Sequence, residues 1–165
     1  MKTLILVRHA KSSWKDRSLP DRLRPLNKRG RCDAPTMGRR LAETGLDVEL
    51  MISSPATRAL ATAEALAEEL AYPWDEIVTD ERLYHADAEE ILTVIEEQDS
   101  WIDQLMLVAH NPGLTSLVNL LSRANIENVP TGGVVRLGYR EEQWMELAAY
   151  EPVEIWFDYP KKRRQ

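Results

Sequence analysis

The chain predicts a three-layer α/β fold: a mainly parallel, mixed sheet flanked by helices. Three observations carry this. Short apolar runs rich in branched residues recur at residues 3–7, 50–52 and 105–109, as buried strands require. Segments with helix-start signals or good helix formers alternate with them. Near the end, residues 134–139 and 144–150 read instead as a closing antiparallel hairpin, with Glu141-Glu142-Gln143 in its turn. A length of 165 residues suits one domain, spanning residues 1–160, with residues 161–165 as a basic, flexible tail.

In chain order, residues 3–7 form the first strand. Residues 9–27 read as a polar loop broken by Pro20 and Pro25, and residues 28–44 as a helix closed by Gly45, with Gly30 and Pro35 weakening its first half. Residues 50–52 are a second strand. Ser54-Pro55 then reads as a helix start, Ser as N-cap and Pro in the first turn, of a helix reaching about Ala71. Residues 76–79 are a short strand, and residues 88–98 a helix with Ile91, Leu92 and Ile95 at helical spacing. Residues 105–109 are a buried strand. His110-Asn111-Pro112-Gly113 turns into a helix through Leu121, and Thr131-Gly132-Gly133 forms a turn before the hairpin.

The charge is unevenly spread. Residues 8–31 hold nine bases against two acids, while residues 32–160 hold 25 acids against seven bases. An acidic body disfavours nucleic acid as a partner, and the basic segment is a candidate anion site. The single cysteine, Cys32, fits a reducing, cytoplasmic setting and reads as a small buried residue on the first helix. No apolar run approaches the ~20 residues of a membrane helix, and the first apolar run is too short for a signal peptide. No Cys/His cluster has zinc-site spacing.

In parallel sheets ligands sit beyond the carboxyl ends of the strands. The first strand ends at Arg8-His9, the second at Ser53-Ser54 with Arg58 in the following helix, and the third long strand at His110. Two histidines and two arginines thus converge on one sheet edge. Guanidinium groups match phosphate oxygens, a helix N-terminus adds free N–H groups, and a neutral imidazole is a nucleophile toward phosphorus. A second imidazole, protonated, would stabilise charge on the phosphoryl oxygens. The residues therefore outline a phosphate site with a histidine nucleophile and no metal.

Leu6-Val7-Arg8-His9-Ala10 resembles the Arg-His-Gly signature of the histidine phosphatase superfamily, which includes the phosphoglycerate mutases. Ala10 stands where that signature has glycine. Residues 53–59 resemble its second block, and Val108-Ala109-His110-Asn111 the block that bears its second histidine. Arg8-His9-Ala10-Lys11-Ser12-Ser13-Trp14 and Arg24-Pro25-Leu26-Asn27-Lys28-Arg29-Gly30 most resemble the small SixA-type phosphohistidine phosphatases. The resemblance implies a phosphoglycerate mutase-like fold, no metal or other cofactor, His9 as the nucleophile that becomes phosphohistidine, and Arg8, Arg58 and His110 as holders of the phosphoryl oxygens. It implies Arg24 as a further phosphate ligand. Glu81-Arg82-Leu83-Tyr84 resembles the glutamate block of the mutase branch, which makes Glu81 the candidate general acid, with a plain exposed carboxylate as the alternative.

His85 reads as a structural or solvated histidine, with a place on the pocket rim as the alternative. Lys11 and Lys15 read as steering charges or loop residues. Only six residues separate Glu81 from Ala88, too few for a large lid, so the site should be open. The expected substrate is phosphohistidine on a signalling or phosphotransfer protein. A small phosphorylated metabolite is the alternative within enzymes, and a non-catalytic phosphoprotein-binding module is the alternative of another class.

Overall fold

The structure is a computed structural model and describes residues 1–162; the last residues of the basic tail lie outside the described residues. One six-stranded sheet has the order β3-β2-β4-β1-β5-β6. Its strands are β1 (Lys2–Arg8), β2 (Leu50–Ser53), β3 (Val78–Thr79), β4 (Gln104–Ala109), β5 (Val134–Tyr139) and β6 (Glu154–Asp158). The β1–β4, β2–β4 and β2–β3 pairs are parallel, whereas β1–β5 and β5–β6 are antiparallel. The sheet is mixed and mainly parallel where it carries the site.

Four helices cover it: α1 (Lys28–Glu43), α2 (Thr57–Glu69), α3 (Ala88–Glu96) and α4 (Gly113–Ser122). The central strands are apolar on both faces because both are covered. Leu4, Leu6, Leu105 and Leu107 pack with Ile91, Val94, Leu114 and Leu117 of α3 and α4. Ile5, Val7, Met106 and Val108 pack with Met37, Leu41, Ala63 and Leu66 of α1 and α2 on the other face. Burying each such large side chain contributes about 1.5–3 kcal/mol, so β1 and β4 form the rigid centre on which the site is mounted.

Helix starts follow the side chains available. Asn27 Oδ1 accepts the Gly30 N–H at 2.8 Å to begin α1, and α1 runs on through Pro35. Asp87 and Glu90 form a reciprocal capping box at α3. The start of α2 differs from the sequence expectation: Ala56 is the N-cap, without a side-chain cap. Ser54 lies earlier, and its hydroxyl is used elsewhere.

The closing hairpin also differs. Its second strand is β6, and residues 144–150 belong to the connection, with a short 3₁₀ turn over Leu147–Ala149. Trp144 is fully buried among Tyr139, Leu121 and Ile102, and its indole N–H donates to the Ile102 carbonyl at 2.8 Å. Burial of that large ring, with a satisfied N–H, overrides the strand propensity of its neighbours. Cys32 is exposed rather than buried, because Ala34, Met37 and Leu41 supply the inward face of α1.

Candidate active site

The topology brings the two histidines together. β1 and β4 are adjacent and parallel, with Arg8 opposite Ala109. β1 leads toward α1 on one face and β4 into α4 on the other, so the crevice opens at their carboxyl ends. His9 and His110 are the next residues of each chain segment, and their ring centroids are 5.1 Å apart. Arg8, His9, Arg24, Arg58, His85 and His110 line one cleft of about 280 Å³.

The loop after β1 is held firmly. Ala10 is fully buried, and its N–H donates to Thr62 Oγ1 at 2.9 Å. That hydroxyl donates in turn to the Arg58 carbonyl at 2.8 Å, so α2 fixes the backbone beside His9. Gly30 lets α1 approach the same loop. A β-carbon there would lie 2.2 Å from the Lys11 carbonyl oxygen, which explains a glycine that costs helix propensity. Behind the site, Gly132, at φ +75°, donates its N–H to the carbonyls of Arg8 and His9 at 3.1 and 3.0 Å.

Hydrogen bonds select one tautomer of each imidazole. His9 Nδ1–H donates to the Ala10 carbonyl at 2.7 Å, which leaves the Nε2 lone pair free. His110 Nε2 meets Ser54 Oγ at 2.7 Å. The Ser54 hydroxyl has no other acceptor among the described residues, so it donates, and His110 carries its proton on Nδ1. Burial, with the charges of Arg58, Arg8 and Arg24, pushes the His9 pKa down to about 4. Burial and the neighbouring His9 and Arg58 push His110 down to about 3. Both imidazoles are therefore neutral near pH 7 in the free protein, the form that a nucleophile needs; the protonated second imidazole expected from the sequence is not the state of His110 there, because burial disfavours its charge.

The guanidinium groups are oriented by the protein. Arg8 Nη1 donates to the Val129 carbonyl at 3.1 Å. Arg58 Nη1 and Nη2 donate to the backbone carbonyl and Oδ2 of Asp21 at 2.8 and 3.0 Å. Arg24 Nε donates to Asp21 Oδ1 at 3.1 Å, and its guanidinium lies 3.5 Å over the ring of Trp14. Among the described residues, three buried nitrogens lack a partner: Arg8 Nε, Arg58 Nε and His110 Nδ1. Unsatisfied buried donors cost about 1–3 kcal/mol each, and all three belong to residues that line this cleft.

Asp21 is a site residue that the sequence did not single out. Its carboxylate accepts from Arg58, Arg24, Tyr84 at 2.6 Å and His85 at 3.1 Å. Partial burial pushes its carboxyl up. Hydrogen bonds from Tyr84, Arg58 and His85, with the charge of Arg58, outweigh this and hold it well below the usual carboxylate range. It is therefore an anion that orders two arginines. Glu81 is not brought into the cleft. It is exposed and bound by both Nη groups of Arg22, which hold its carboxyl below the ordinary glutamate range. A general acid needs the opposite shift, so the role expected for Glu81 finds no support in this geometry. His85 lines the cleft, and Lys11 does so too.

Residues 4–98 match the family model of the histidine phosphatase superfamily (branch 1), and the chain belongs to that family. It is 32% identical over 132 residues to an uncharacterised chloroplastic protein of Arabidopsis thaliana, covering 75% of this chain and 61% of that protein's length. Its fold matches a protein from Agrobacterium tumefaciens assigned as the phosphohistidine phosphatase SixA, with a TM-score of 0.79 and 24% identity, over 94% of this chain and 97% of that one. It also matches the protein histidine phosphatase SixA solved with tungstate, with a TM-score of 0.80 and 18% identity, over 96% and 97% of the two chains. The structural likeness covers more of the chain than residues 4–98. Among the described residues no helix is long and apolar enough to cross a membrane.

Proposed function

We propose that this chain is a phosphatase that passes a phosphoryl group from its substrate to His9 and then to water, and that its substrate is phosphohistidine on a signalling or phosphotransfer protein. The observation that carries the reading is the neutral His9, with a free Nε2 lone pair, in one cleft with Arg8, Arg24, Arg58 and His110. Arg8, Arg58 and His110 hold the phosphoryl oxygens, and Arg24 adds a further cation. His9 Nε2 forms a bond to phosphorus as the bond to the leaving group breaks. The donors meet the charge on the equatorial oxygens, the task that fixed dipoles and cations perform best in a dry site. Water then attacks phosphorus and releases phosphate, returning the electron pair to Nε2.

A protein substrate is supported by the mouth of the cleft. Trp14 is 69% exposed beside Arg24, Leu23 is 52% exposed nearby in sequence, and the surrounding loop is basic. A small-molecule enzyme would gain from an enclosing pocket. A binding module would use the arginines but would have no need of an imidazole held neutral with its lone pair free. The exposed single cysteine fits a reducing, cytoplasmic setting.

The test is phosphate release from a phosphohistidine peptide and a phosphoserine peptide, with the His9→Ala protein as blank. Release from phosphohistidine alone is the expected result. Release from neither above the blank, together with phosphate binding, would replace the enzyme by a binding module.

A further inference from the structure

We propose that His85 is the proton donor to the leaving group, held in place by Asp21; the proposal rests on the phosphatase reading above. His9 is buried at the floor of the cleft, and in-line displacement puts the leaving group opposite the nucleophile, toward the open mouth. His85 is the imidazole at that mouth: its side chain is 61% exposed, yet it lines the cleft. Its ring stacks on His110 with centroids 5.9 Å apart and planes 7° from parallel. The edge of Tyr84 braces it at 4.1 Å.

Its backbone is committed to that position. His85 has φ +55°, a left-handed conformation uncommon for any residue with a β-carbon. The following residue is fixed by a close approach, since a β-carbon on Gly113 would lie 2.0 Å from the Ala86 carbonyl oxygen. Asp21, an anion, accepts from His85 Nε2 at 3.1 Å. Nδ1 has no hydrogen-bond partner among the described residues and is the atom left to exchange a proton. A carboxylate on one ring nitrogen and a reacting group on the other is the arrangement by which an aspartate orients a catalytic histidine.

The chemistry balances. As the His9 Nε2–phosphorus bond forms, the leaving-group bond breaks and its electron pair stays on the departing oxygen or nitrogen, which takes the proton from Nδ1 of the His85 imidazolium. In the second half, water forms a bond to phosphorus and gives a proton to neutral His85, and the pair of the broken phosphorus–nitrogen bond returns to His9. Glu81, held outside by Arg22, takes no part.

The experiment compares the intact protein with His85→Asn on aryl phosphates of graded leaving-group basicity. Asparagine tolerates the left-handed backbone but transfers no proton. The expected loss in kcat/KM is small for the least basic leaving group and grows to about 10²–10⁴-fold for the most basic. His85→Gln should show the same grading, which guards against a folding defect peculiar to one variant. One constant factor across the series would overturn the role of His85 while leaving the phosphatase reading intact. If the intact protein turns over none of the esters and takes up no phosphoryl group on His9, the phosphatase reading falls and the role of His85 falls with it.

Discussion

Acidification should destabilise the free protein through its two buried imidazoles. An unfolded histidine titrates near 6.5, whereas His9 and His110 are pushed down to about 4 and about 3. Between those values the unfolded chain binds protons that the folded protein refuses, so stability is full above pH 6.5 and falls as the pH drops. At pH 5 each group costs about 2 kcal/mol by this linkage, and the two together about 4 kcal/mol. That is a large share of the roughly 5–15 kcal/mol that holds a domain folded. The assay is urea unfolding at pH 7 and pH 5 of the intact protein, His9→Asn and His110→Asn. Each substitution should lessen the acid-induced loss by about 2 kcal/mol. An equal loss in all three proteins would show that the imidazoles ionise in the fold as they do in the unfolded chain, and the burial-depressed pKa values would lose their basis.

Other outcomes follow from single contacts. Arg58→Ala removes the buried Nε donor and the pair that orders Asp21; losing one charge-assisted contact of about 1.5–3 kcal/mol should cut kcat/KM about 10- to 160-fold and weaken tungstate binding alongside, as titration calorimetry would read. Thr62→Val leaves the buried Ala10 N–H without its acceptor. It should cost about 1–3 kcal/mol, or about 2–4 °C in Tm for each kcal/mol in a chain of this size, measured by thermal unfolding. Glu81→Gln disturbs only an exposed pair, which solvent screens. Initial rates on phosphoesters and phosphoramidates should stay within about twofold of the intact protein, since Glu81 does not line the cleft.

Much of the candidate site was legible because the strand-end rule is local. An apolar run followed by Arg8-His9, another followed by Ser53-Ser54, and a third followed by His110 are visible without tertiary knowledge, and the register of β1 on β4 does the rest. What was missed depends on long-range contact. Asp21 was counted only as one of two acids in a basic segment; its contacts appear only when the fold brings it to Arg58, Tyr84 and His85, across 37, 63 and 64 residues of sequence. Ser54 carried the signature of a cap but spends its hydroxyl on His110, which no local pattern encodes. The motif around Glu81 suggested an acid, and the fold pairs that exposed carboxylate with Arg22, 59 residues away in sequence. Residues 144–150 resembled a strand by composition, but a buried Trp144 had greater effect on the fold than the propensity of its neighbours.

The central claim, that His9 accepts the phosphoryl group, is tested most directly by trapping it. The protein is incubated briefly with phosphoramidate, quenched in alkali, digested and read by mass spectrometry. The account predicts one phosphoryl group on His9, stable in alkali and lost in acid, and none on the His9→Ala protein. A phosphoryl group on another residue, or phosphate release that His9→Ala leaves unchanged, would contradict it.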